Sequence, residues 1–176
     1  MSDVSSLRAV AHPVRLRMLS VLTGTAMSAA DLARTLDISH ANASYHLRQL
    51  ADAGEVVVAG EQKIRGGTAK LYRYPHEAEA PRRDITNEDR IVYTRAVAAE
   101  LERRIAAGVP GHGVPGQGGL LSDLEGWVEP EVWGRASALL QQASRLLHDA
   151  NRPPHTPDTV HVSFTAWAFR MAGDDA

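Results

Sequence analysis

The chain contains no cysteine. That excludes a disulfide framework and any thiolate metal centre, and it suits a reducing compartment, so a cytoplasmic location is expected. It also lacks an apolar run long enough to span a bilayer. Its start, "MSDVSSLRAV", has no basic stretch leading into an apolar core, so a signal peptide is not expected there. Nor is there a strong excess of one charge: the net value is −2. This small sum hides an asymmetry. Residues 1–75 hold nine Lys/Arg against six Asp/Glu, a balance of +3, and residues 76–176 hold ten against fifteen, a balance of −5. The first part suits a polyanionic partner better than the second. Hydrophobic content of 44% and charged content of 23% are those of a folded protein, and 176 residues make one ordinary domain or two small ones.

Catalytic signatures are missing too. "GVPGHGVPGQGG" (108–119) has six glycines and two prolines but no following lysine and no strand–loop–helix context, so it reads as a mobile loop and not a phosphate cradle. No nucleophile motif occurs, and an enzyme is not expected. The eight histidines are scattered, with no pair at helical ligand spacing in an acidic cluster. His112, His148, His155 and His161 could converge in space, but loop and helix-end histidines are more often solvated. No metal and no cofactor are expected.

What is present is a dense series of helix boundaries. "SDVSSLRAVA" can form a short helix. In "HPVRLRMLSVLTG", Pro13 suits a helix start, Gly24 a stop, and Val14, Met18, Leu19 and Leu22 share a face. "SAADLARTLD" opens on Ser28 with Asp31 three residues on, a short capping box, and turns Leu32, Ala33 and Leu36 inward. About three residues later, "SHANASYHLRQLADAG" begins at Ser39 and ends at Ala53-Gly54, with Ala43, Leu47 and Leu50 at helical spacing. "EVVVAG" and "AKLYRY" are β-rich and flank "EQKIRGGT", a hairpin with Gly66-Gly67 at its tip.

Helices, a tight turn, a further helix and then a hairpin make a winged helix-turn-helix, in which the second helix of the pair is held as a probe for the DNA major groove. Ala33 is small enough for a close crossing, and Ile38 plugs it. "HPVRLRMLSVL", "SAADLARTLDISHANASYHLRQLADAGEV" and "KIRGGTAKLYRY" together resemble the ArsR-like winged helix-turn-helix transcriptional regulators over roughly residues 5–75. The patterns HPxRLRxL and SxHLxxLxxAGxV are the most specific. The resemblance implies a cytoplasmic homodimer that binds double-stranded DNA at a palindromic operator, usually a repressor released by an effector. It places Ser39, His40, Asn42, Ser44, Tyr45 and Arg48 towards DNA. The chemistry of these residues agrees: Asn42 can pair with adenine, Arg48 with guanine or phosphate, and Ser39, Ser44 and Tyr45 with phosphate or sugar. In the wing, Lys63, Arg65, Lys70 and Arg73 suit phosphate or minor-groove contact. His46 matches a position that is often His, but it lies beside the buried stripe and is expected to be structural. Arg15 and Arg17 either buttress the fold or touch DNA. The chain departs from metal-sensing members: the segment before the turn has no thiol, and "TNEDRIVYTRAVAAELERRIAAG" has no histidine.

The fold class expected is α+β, mainly helical. A winged helix-turn-helix over 1–75 is followed by a linker at 76–85. The domain over 86–176 has two long helices and one or two short strands. In the first helix Thr86 and Asp89 form a capping box, and Ile91, Thr94, Ala98, Leu101 and Ile105 step by three and four. In the second Trp133, Ala136, Leu140, Ala143, Leu147 and Ala150 do the same, which makes a seam for another helix. "LLSDLEGWVEP" is expected to hold a short strand. "DTVHVSFTAWAFRM" alternates in the manner of a strand covered on both sides near its end. This region is expected to dimerise. It also carries a candidate effector pocket at Trp127, Trp133, Phe164, Trp167 and Phe169, for which the plainer reading is ordinary core. A different class of function is a winged-helix module that binds proteins or ligands without touching an operator; the basic hairpin argues against it.

Overall fold

The computed structural model describes residues 6–75, 86–108 and 122–171. Its elements in chain order are α1 (Ser6–Val10), α2 (Pro13–Gly24), α3 (Ala29–Leu36), α4 (His40–Asp52), β1 (Val57–Ile64), β2 (Gly67–Arg73), α5 (Asn87–Ala106) and α6 (Pro130–Ala150). The architecture is mainly helical, with one two-stranded antiparallel sheet.

The starts of α2, α3, α4 and α5 are fixed by side-chain caps. Ser28 accepts from the Asp31 amide at 3.2 Å, while the Asp31 carboxylate accepts from the Ser28 amide at 3.0 Å and its hydroxyl at 2.6 Å. These bonds satisfy amides that an isolated helix leaves unpaired. Thr86 and Asp89 repeat the arrangement at α5, and the Ser39 hydroxyl accepts from the Asn42 amide at 3.2 Å at α4. For α2 the cap is His12, whose Nδ1 accepts from the Val14 amide at 3.1 Å. The α3–α4 turn is tight because Asp37 takes a left-handed conformation (φ 52°), which Asp tolerates better than bulkier residues. Ile38 then packs on the core. At the end of α4, Gly54 (φ 74°) reverses the chain, and the Glu55 amide closes on the Leu50 carbonyl at 2.9 Å.

The core is Val10, Met18, Leu22, Leu32, Leu36, Ala43, Leu47, Leu50 and Val56. It gathers one face each of α2, α3 and α4. The hairpin is held to it by reciprocal bonds between Met27 and Tyr72, at 3.0 and 2.9 Å, and by the Tyr74 amide on the Leu22 carbonyl at 3.1 Å. The strands run further than the β-rich segments alone indicate. They pair from Val57↔Arg73 to Ile64↔Gly67, with a bulge between Val58 and Gly60, and leave a two-residue turn at Arg65-Gly66.

α5 lies against α1 and α2, and α6 against α2. The buried face of α5 is Asp89, Ala96 and Glu100, where Arg8 of α1 bonds the Asp89 carboxylate. The stripe expected to form its seam points the other way: Ile91, Thr94, Ala98 and Ile105 are exposed. α6 has no buried residue. Two strand expectations are corrected. Residues 159–171 and 122–129 have no regular secondary structure. Alternation supplies two usable faces, but a strand also needs a free edge to pair with. Among the described residues the sheet contains β1 and β2 alone. The linker at 76–85 and most of the glycine-rich loop lie outside the described residues.

Leu50 is fully buried between the helices. Replacing it with alanine is expected to cost about 2–5 kcal/mol in urea unfolding, against about 1 kcal/mol for Ser28→Ala at the α3 cap.

Candidate nucleic-acid interface

α4 is two-sided. Ala43, His46, Leu47 and Leu50 are buried, which fixes the rotation of the helix about its axis. The 3.6-residue period then sets what faces out. His40, Tyr45 and Arg48 are exposed, with Tyr45 at 54%, and Asn42 and Ser44 are half-buried beside them. Ser39 stands at the tip, exposed. Its oxygen is committed to the cap, and its hydroxyl proton remains available as a donor.

The hairpin divides the four cations expected there. Lys63, Arg65 and Lys70 are exposed near the tip. In the ladder Lys63 stands opposite Thr68 and Lys70 opposite Glu61, and cross-strand neighbours share a face. Arg73 is at the other end, opposite Val57, half-buried and not free. Among the described residues Arg48, Lys63, Arg65 and Lys70 make no ion pair. Their charges are therefore unspent within the protein.

Beneath α4 lies a feature the sequence reading saw only in part. The His46 ring is 6% exposed and stacks on His12, centroids 4.4 Å apart and tilted 37°. Tyr45 meets it edge-on at 5.1 Å. Neither His46 Nδ1 nor Arg15 Nε has a hydrogen-bond partner among the described residues. Burial, then the neighbouring His12 and Arg15, lower the His46 pKa to about 4, so the ring is neutral at pH 7. His12 is lowered by burial and then by Arg15, and burial lowers Arg15. His46 is thus structural, as expected. Arg17 also buttresses the fold: its Nη2 donates to the Leu36 carbonyl at 2.8 Å, closing the end of α3. Arg15 lies between α2 and the His46–Tyr45 pair. His12 was missed, although a residue before proline is extended and suited to an N-cap.

The aromatic set proposed as a pocket does not assemble as one. Phe164 and Trp167 line a cleft between α2, α5 and α6 with Tyr74 and Tyr93. Trp127 is 93% exposed, and neither it, Trp133 nor Phe169 reaches that cleft.

Residues 10–57 match the family model of a helix-turn-helix domain. This span runs from the end of α1 to the first residue of β1. No curated protein matches the chain. One solved structure, described as "Crystal structure of Possible transcriptional regulator for arsenical resistance", shares 22% identity. The match covers 61% of this chain and 99% of that one at a TM-score of 0.34. A likeness that loose carries no weight for fold or function.

His46 and His12 are less basic folded than unfolded, so the unfolded chain binds more protons in acid. Their contribution is complete above about pH 6.5, the ordinary histidine value, and is lost as pH falls below it, for His46 down towards pH 4. For His46 the loss reaches up to about 3 kcal/mol. Urea unfolding at pH 7.5, 6.0 and 5.0 checks this, and His46→Phe is expected to flatten the slope.

Proposed function

We propose, on the footing of the helix-turn-helix domain at residues 10–57, that the chain is a sequence-specific DNA-binding transcriptional regulator. It acts as a homodimer on a near-palindromic operator. The observation that carries this is the exposed face of α4, immobilised from behind by its buried stripe, in a chain whose hairpin tip carries uncommitted cations. Asn42 and Arg48 have the donors for base edges; Ser39, His40, Ser44 and Tyr45 suit phosphate and sugar. Lys63, Arg65 and Lys70 supply sequence-independent attraction to the backbone. Arg73 serves the base of the hairpin more than its tip.

Dimerisation is supported by what the single chain leaves uncovered. On α6, Val132, Leu139 and Leu146 recur every seven residues and are exposed, the last two at 65% and 67%. On α5, Ile91 and Ile105 face out. Apolar stripes at this spacing call for a partner helix, and a second copy brings the two-fold symmetry that a palindromic site demands. Repression, with release by a small-molecule effector held by the region after residue 86, completes the reading. No helix among the described residues is long and apolar enough to cross a membrane, and the proposed place of action is the cytoplasm.

The test is selection of bound genomic fragments, then anisotropy titration of the enriched duplex at about 0.1 M salt, where specific sites hold in the nanomolar range. Arg48→Ala is expected to cost about 1–3 kcal/mol of specific binding with unchanged thermal stability. Lys63→Ala weakens all sequences alike and lowers the salt slope by about one unit. No enrichment of any sequence would reject operator binding. Leu139→Glu with Leu146→Glu is expected to convert the sedimenting species from dimer to monomer.

A further inference from the structure

A cleft of about 520 Å³ lies between α2, α5, α6 and residues 164–168, within the range that small-molecule sites occupy. One part of its lining is aromatic. The Tyr93 and Trp167 rings have centroids 5.5 Å apart and are tilted by 34°; Tyr74 and Phe164 complete the set. The phenol hydroxyls of Tyr74 and Tyr93 have no hydrogen-bond partner among the described residues. Burial raises both pKa values, and the nearby Glu55 carboxylate adds to the rise at each, while Arg104 opposes it at Tyr93; both remain proton donors at neutral pH.

Another part of the lining is charged. Glu100, only 2% exposed, accepts from Arg103 Nη2 at 2.6 Å and Arg104 Nε at 3.0 Å through Oε1, and from Arg103 Nε at 2.9 Å through Oε2. Burial raises the Glu100 pKa, and the bonds from Arg103 and Arg104 outweigh it, leaving it below the ordinary value. At this end of the cleft one carboxylate therefore answers two guanidinium groups. Arg104 faces the cleft. Its Nη2 has only a long 3.4 Å contact to Ser20 Oγ on α2, which a charged acceptor would displace.

We propose that this cleft binds a planar aromatic carboxylate, its ring against Tyr93, Phe164 and Trp167 and its anionic group on Arg104 with the two tyrosine hydroxyls. An aromatic cation is disfavoured, because Glu100 is already satisfied by two guanidinium groups and Glu55, the carboxylate near the tyrosines, is itself not free. This deepens the effector reading above and rests on it for its regulatory consequence. α2 packs on α4 and on both α5 and α6, so an occupant of the cleft leans on the helix that seats α4.

The experiment uses the full chain carrying Trp127→Phe and Trp133→Phe, neither of which lines the cleft, so that Trp167 is the sole tryptophan. Titration with 2-naphthoate is expected to quench its emission saturably, as one site. Arg104→Gln should weaken binding about tenfold or more, Tyr93→Phe by a smaller factor, and Arg104→Lys should restore most of it, with circular dichroism unchanged throughout. The matched cation, 2-naphthylmethylammonium, should bind at least about tenfold more weakly. Absence of saturable quenching, equal binding of the cation, or indifference to both Arg104→Gln and Tyr93→Phe would overturn the proposal. The readout needs no DNA. Saturable binding that leaves operator affinity untouched would uphold the site and reject the effector reading instead.

Discussion

The structure depends on how α4 is seated. Ala43, Leu47 and Leu50 pack on Met18, Leu22 and Leu32, all buried. Each large side chain of that set contributes about 1.5–3 kcal/mol by leaving water, more than an exposed ion pair provides. A helix fixed along one stripe cannot rotate, so the outward residues are fixed as a group. The tight α3–α4 turn, the Arg17 bond to the Leu36 carbonyl and the Met27–Tyr72 bridge all serve the same end. They hold a helix and a hairpin in one register, with polar and cationic groups left over.

The cost of that seating is visible underneath it. His46 fills a core position with a ring that is uncharged at neutral pH, and its Nδ1 is unsatisfied among the described residues. A leucine there would avoid the polar burden. The ring instead stacks on His12 and abuts Tyr45, so the cap of α2, the inside of α4 and one outward residue of α4 form a continuous contact. Acid charges that contact and loosens the seat.

Much of the N-terminal half, and the start of α5, was legible because the signals are local. Ser28 with Asp31 and Thr86 with Asp89 are capping boxes spaced three residues apart, and they formed as such. The 43–47–50 stripe obeyed its period, and Gly66 fell in the hairpin turn. The second half was less legible because its meaning lies in pairing. Alternation across 160–168 signalled a strand, yet pairing needs an edge that no local pattern reveals. The α5 stripe from Ile91 to Ile105 was rightly apolar, but spacing could not say whether it faced the same chain or another. The cleft was missed in composition: Phe164 and Trp167 were singled out, whereas Tyr74 and Tyr93 come from distant positions. Glu100 followed by Arg103 and Arg104, at helical spacing, was the available sign of a buried charge cluster.

The central claim is that the outward face of α4, and not its packed face or the later helices, meets DNA. Amide chemical-shift mapping on the full chain with a selected duplex tests it directly. The account predicts that His40, Asn42, Ser44, Tyr45 and Arg48 shift together with Lys63, Arg65 and Lys70, and that Val97 to Arg104 stay in place. Shifts confined to α5 and α6, with α4 unmoved at saturating DNA, would contradict it.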